Sequence, residues 1–173
     1  MRKISIVLIT LLLVASVGYT AAVGSDTLSF YGSIGLGTVS FGVTESTSNQ
    51  PGTRVDLLSN DMKPDSTTPV EIGSWSYSGQ NQVATTYTLT YTFGTLDATI
   101  SGTTYSIAYE LKEEGGTDYL ASGDTTTFSV AAGAPTDGKK IYARLTSAGR
   151  TAALAAAAGS TYVDSISVAL TTP

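Results

Sequence analysis

The chain has 173 residues, nine basic and fourteen acidic side chains, a net charge of −5 at neutral pH, and neither cysteine nor histidine. Without histidine there is no Ser-His-Asp or Cys-His catalysis and no histidine-ligated metal; without cysteine there is no disulfide and no cysteine-linked lipid anchor. The acidic balance argues against electrostatic binding to nucleic acid or to anionic membranes.

In chain order, the first element reads as a secretory signal peptide over residues 1–22. Arg2 and Lys3 form the basic start. Ile4 to Val17 is apolar apart from Ser5, Thr10 and Ser16, and the small residues Thr20, Ala21 and Ala22 suit a signal peptidase. Cleavage after Ala22 is the first expectation and cleavage after Gly24 the second. The apolar run falls short of the ~20 residues of a spanning helix, so no membrane span is expected after processing. The expected destination is the periplasm, the cell surface or the medium. Removing Arg2 and Lys3 leaves seven basic residues against fourteen acidic, a net charge of −7.

Residues 23–173 have the length of one domain. Threonine, serine, glycine, tyrosine and valine dominate, which is the chemistry of strands and turns. Strands are expected over 27–36, 38–43, 70–77, 83–93, 104–112, 125–131, 139–146 and 162–170. Turns are expected at Gln50 to Gly52, Ser78 to Asn81, Glu114 to Gly116, Ser122 to Asp124 and Gly133 to Gly138. The alternation of Tyr87, Leu89, Tyr91 and Phe93 with threonine, and of Ile166, Val168 and Leu170 with small residues, has the period of two that a half-buried strand requires. The expected fold is an all-β, Ig-like sandwich of about seven to nine strands. Residues 151–158, rich in alanine, are expected to form a short helical turn or packed loop ended by Gly159.

Leu28, Phe30, Gly32, Ile34 and Leu36 share one parity and so one face of the first strand of the processed chain. The parity flips at Val39, Phe41 and Val43, which calls for a bulge or turn around Gly35 to Gly37. Such a strand either pairs within its own chain or reaches a neighbour. Thr27-Leu28-Ser29-Phe30-Tyr31-Gly32-Ser33-Ile34 resembles the N-terminal extension of chaperone–usher pilins. Ile141-Tyr142-Ala143-Arg144-Leu145 and the stretch from Gly159 through Tyr162 and Asp164 to Leu170 resemble the closing strands of the spore coat protein U-like, archaic pilin group.

That resemblance implies donor-strand complementation. Residues 23–37 would be a donor-strand extension that adds to a gap in a like or related subunit, and a periplasmic chaperone would be a partner. Burying Leu28, Phe30, Ile34 and Leu36 would give roughly 6–12 kcal/mol before ordering costs. The implied role is an exported structural subunit of a pilus-like or surface assembly, or an adhesin, without enzymatic activity or cofactor. The chain differs from many such pilins in having no cysteine and no aromatic residue close to its end. The alternative is a self-contained secreted sandwich that binds a surface glycan or host receptor through its loops.

Other residues present choices. Glu110, Glu113, Glu114 and Asp118 read as solvated acids around a glycine turn, or else as glycosidase carboxylates or Ca²⁺ ligands. Asn60, Asp61 and Asp65 form a second acidic loop without EF-hand spacing. Trp75 and Tyr77 share a face and are expected in the core; exposed, they would stack on a sugar. Tyr162 is expected to form a tyrosine corner, its hydroxyl bonded to nearby backbone. Lys139 and Lys140 are the only kind of base left for a serine or threonine nucleophile, but no partner motif accompanies them.

Overall fold

Alternating apolar and hydroxylated residues make strands whose one face must be covered, and two sheets covering each other is the simplest solution. The computed structural model describes residues 30–34, 37–47, 55–81, 83–133, 135–156 and 160–171, with side chains from Ser40 onward. The signal-peptide residues, Leu28, Leu36 and the turn at 50–52 lie outside them.

Ten strands and one helix occur among the described residues: β1 Phe30–Ile34, β2 Gly37–Glu45, β3 Val70–Gly79, β4 Thr85–Thr92, β5 Leu96–Ile100, β6 Thr103–Ile107, β7 Tyr109–Glu113, β8 Thr125–Val130, β9 Thr136–Leu145, α1 Ser147–Ala155 and β10 Ser167–Thr171. They form a five-stranded sheet in the order β1-β2-β3-β9-β7, a three-stranded sheet β10-β4-β8 and a β5-β6 hairpin. All strand pairs are antiparallel. The fold is an all-β sandwich.

An aromatic layer joins the two larger sheets. Trp75 on β3 meets Phe128 on β8 with ring centroids 4.7 Å apart, and Tyr77 meets Tyr87 on β4 at 5.0 Å. Phe41 on β2 stacks at 6.2 Å on Trp75. The alternation expected for Tyr87, Leu89 and Tyr91 holds: all three are buried, and the threonines between them face outward. Trp75 is 1% exposed, so it fills the core and offers no sugar-stacking surface.

Several expectations shift. The stretch 104–112 is two strands, broken at Ala108, and β5 lies where no strand is expected. The β5-β6 turn is Ser101-Gly102, both with positive φ (49° and 82°), as a two-residue hairpin turn of the primed type needs. Gly138 is not a turn residue: β9 starts at Thr136, and Gly138 pairs with Ser76. Only the second half of 162–170 is strand. Val163 bridges Asp97, and the strand proper begins at Ser167. The reversal between β1 and β2 falls where the parity flips, with Ile34 opposite Gly37.

The helix begins four residues earlier than its alanines suggest because Thr146 caps it: its hydroxyl accepts from the Gly149 N–H at 3.0 Å. The Arg150 guanidinium donates to the carbonyls of Leu57 and Leu58, both at 3.0 Å, and so fastens the segment after residue 55. Met62 plugs that segment into the core at 2% exposure, and its carbonyl accepts from Leu145 N.

Glycine is a poor helix former, yet Gly149 sits inside α1, where a Cβ would collide with the Ala108 carbonyl between β6 and β7. Helix propensity predicts that Gly149→Ala stabilises; the close approach predicts the reverse. We expect the variant to lose about 1–3 kcal/mol in urea unfolding, and a gain would show that the helix can move off the strands.

Candidate functional site

The N-terminal stripe falls on an edge. Phe30, Gly32 and Ile34 belong to β1 and stand opposite Phe41, Val39 and Gly37 of β2. Within this single chain the strand therefore pairs with its own neighbour. β1 is the outermost strand of the five-stranded sheet, and β2 is its one substantial partner among the described elements.

The acidic residues around Glu114 do not converge. Glu110 on β7 pairs with Arg144 at 2.6 Å, and Arg144 also lies 3.4 Å from the centre of the Tyr119 ring. Glu114 and Asp118 are exposed. Among the described residues no group of three or more acidic side chains is placed to hold a metal ion. Asp61 accepts from the Thr68 hydroxyl at 2.8 Å, which folds the loop containing Asn60 and Asp65 onto itself. Lys140 pairs with Glu71 at 2.7 Å.

Glu113 corrects the expectation of a solvated loop acid, because it points into the core and is only 6% exposed. Its Oε1 accepts from Tyr91 Oη at 2.5 Å, Thr126 Oγ1 at 2.8 Å and Trp75 Nε1 at 3.1 Å, and its Oε2 accepts from Lys139 Nζ at 3.1 Å. Strands β3, β4, β7, β8 and β9 thus meet at one carboxylate. Burial alone would raise its pKa. The hydrogen bonds from Tyr91, Thr126 and Lys139, with the lysine charge, outweigh burial and hold it below the usual carboxylate range. Burial and this same carboxylate push the Tyr91 hydroxyl well above the ordinary tyrosine value. Lys139 is therefore a counter-ion. The signal was present in the sequence: Glu113 continues the buried parity of Tyr109 and Leu111, and Lys139 that of Ile141, Ala143 and Leu145.

Asp164 is a second tie. It accepts from Tyr109 Oη at 2.6 Å, from Gly94 N at 2.7 Å and from its neighbour Ser165 N at 2.8 Å. Tyr162 does not form the expected corner with the described backbone: its hydroxyl is buried with no hydrogen-bond partner among the described residues. Between the five-stranded sheet, β5 and the segment 160–166 lies a pocket of about 360 Å³, walled by apolar residues such as Leu57, Ile72, Leu96 and Ile166, with Glu45 and Asp164 among the polar ones.

Searches against family models, curated proteins and solved structures return no match to this chain. The described residues contain no helix long and apolar enough to cross a membrane.

The lowered pKa of Glu113 fixes the sign of its pH dependence. A group whose folded pKa lies below its unfolded one stabilises above the unfolded value, and that contribution fades as pH falls through the folded value. Glu113→Gln should cost about 1.5–3 kcal/mol at neutral pH, and its deficit against the wild type should shrink in acid, read by denaturant unfolding at a series of pH values. A deficit independent of pH would mean that charge plays no part.

Proposed function

We propose that this protein is an exported structural subunit of a pilus-like or surface assembly, or an adhesin, joined to its neighbours by β-strand complementation through the segment carrying Leu28, Phe30, Gly32, Ile34 and Leu36. The observation that carries the reading is the position of β1: the strand nearest the expected cleavage site is also an edge strand held mainly by β2. A strand so attached can be traded for its equivalent in another copy, because the backbone bonds and the apolar contacts are the same in both arrangements. The resemblance of residues 27–34 to pilin extensions, and of the chain's end to the archaic pilin group, points the same way. A periplasmic chaperone would hold the segment apart before assembly. Cys-free construction fits a domain that relies on its core and ladders alone.

The second reading is a self-contained exported sandwich that binds a glycan or host receptor. The pocket walled by Leu57, Ile72, Leu96 and Ile166 favours it, while the burial of Trp75 removes the most obvious stacking platform for a sugar.

Strand exchange makes a direct prediction. The purified protein should form a ladder of sizes in light scattering and native gels, and a labelled peptide of residues 23–36 should enter the protein from which those residues have been removed. A protein that stays monomeric and ignores the peptide would support the self-contained reading.

A further inference from the structure

The three strands β10, β4 and β8 contain no charged residue: Ser167–Thr171 reads SVALT, Thr85–Thr92 reads TTYTLTYT and Thr125–Val130 reads TTTFSV. In an acidic chain these are strands that bring no charge of their own to an approaching copy, the exposed Asp124 lying just before β8. Among the described residues the edges of this sheet also lack the usual safeguards. Natural edge strands are blunted by lysine, proline, a bulge or a covering loop. The β7 edge of the larger sheet follows that rule, with Glu110 and Lys112 on it and a bridge from Leu120 over Leu111. β8 does not. It pairs with β4 in unbroken register from Val130 to Thr125, and it ends its sheet. Thr125, Thr127 and Ser129 are all exposed, whereas Ser167 and Ala169 of β10, the opposite edge, are half-buried.

We propose that the outer edge of β8 is a docking edge for β8 of a second copy, paired antiparallel about a two-fold axis at Thr127. The occupant follows from the chemistry of the edge. An antiparallel strand is complementary to itself, so a two-fold axis satisfies every unpaired backbone group on both copies. With the axis at Thr127, Thr127 faces its equivalent, Thr125 faces Ser129, and Thr126 faces Phe128. The outward row of that interface repeats what the sheet already does inside one chain, where Thr125 pairs with Thr90, Thr127 with Thr88 and Ser129 with Thr86. The last of these pairs joins hydroxyls at 2.8 Å. The product is a continuous six-stranded sheet, β10-β4-β8-β8-β4-β10. This contact is closed, giving dimers, whereas exchange of the N-terminal segment is open-ended and gives ladders. The two are therefore independent.

The test uses protein purified from an exporting host, with sedimentation at several concentrations on the wild type, Thr127→Lys and Thr127→Ser. Two lysines facing each other across the axis should weaken the dimer roughly fivefold or more, while Thr127→Ser leaves it unchanged and any ladder of larger species persists in both. Hydrogen exchange on the wild type supplies a reading that needs no variant: amides of residues 125–129 should gain protection as concentration rises. A wild type that forms no dimer, a dimer indifferent to Thr127→Lys, or exchange at β8 that does not change with concentration would each overturn the proposal. Loss of the ladder with the dimer retained would count against N-terminal exchange and in favour of the β8 contact.

Discussion

The carboxylate of Glu113 is the constraint on which the two sheets depend. A carboxylate at 6% exposure would ordinarily be neutralised or expelled. Here it receives donors from Trp75, Tyr91, Thr126 and Lys139, so four elements besides its own strand must lie where they do for its charge to be satisfied. The requirement is directional in a way that apolar packing is not. Phe128 could slide against Trp75 at modest cost, but the phenol of Tyr91 and the hydroxyl of Thr126 cannot move far from one oxygen without leaving a buried group unpaired. In a chain with no disulfide, this hub fixes how the sheets sit on each other.

The hub also shapes the distribution of charge. Lys139 serves Glu113, Lys140 serves Glu71 and Arg144 serves Glu110, so these cations work on the β3-β9-β7 side of the sandwich. The β10-β4-β8 sheet carries none. The five-stranded sheet thus carries these ion pairs, while strands β10, β4 and β8 carry only uncharged side chains. A domain built to remain solitary gains from charge on every edge.

Much of the sandwich could be read from the chain because burial writes itself as alternation. Tyr87, Leu89 and Tyr91 alternate with threonine, and β4 lies there; Trp75 and Tyr77 share a parity, and both are buried. What was not legible had physical causes. β5 is short and its turn, Ser101-Gly102, is a pair whose positive φ angles mark a hairpin only once its flanks are taken as strands. β7 separates from β6 at Ala108, whose carbonyl is taken by Thr146 across the fold, a contact that no local pattern records. The helix start followed from the Thr146 cap and not from the alanines. Glu113 was misplaced because an acid beside Gly115 and Gly116 looks solvated until its parity with Tyr109 and Leu111 is given more weight. Tyr162 shows the opposite error, a sequence pattern suggesting a hydrogen bond that the described residues do not supply. The donor stripe was legible as a stripe, but the partner of a strand at an edge is not written in its own residues.

The most direct measurement is a carbon NMR titration of the Glu113 side-chain carboxyl in the folded protein. An ionised hub requires its midpoint to lie below the ordinary glutamate value, and the Tyr91 hydroxyl to remain protonated across the range. A Glu113 midpoint above the ordinary glutamate value would mean that the carboxyl is neutral when buried, and that no ionised hub holds the sheets.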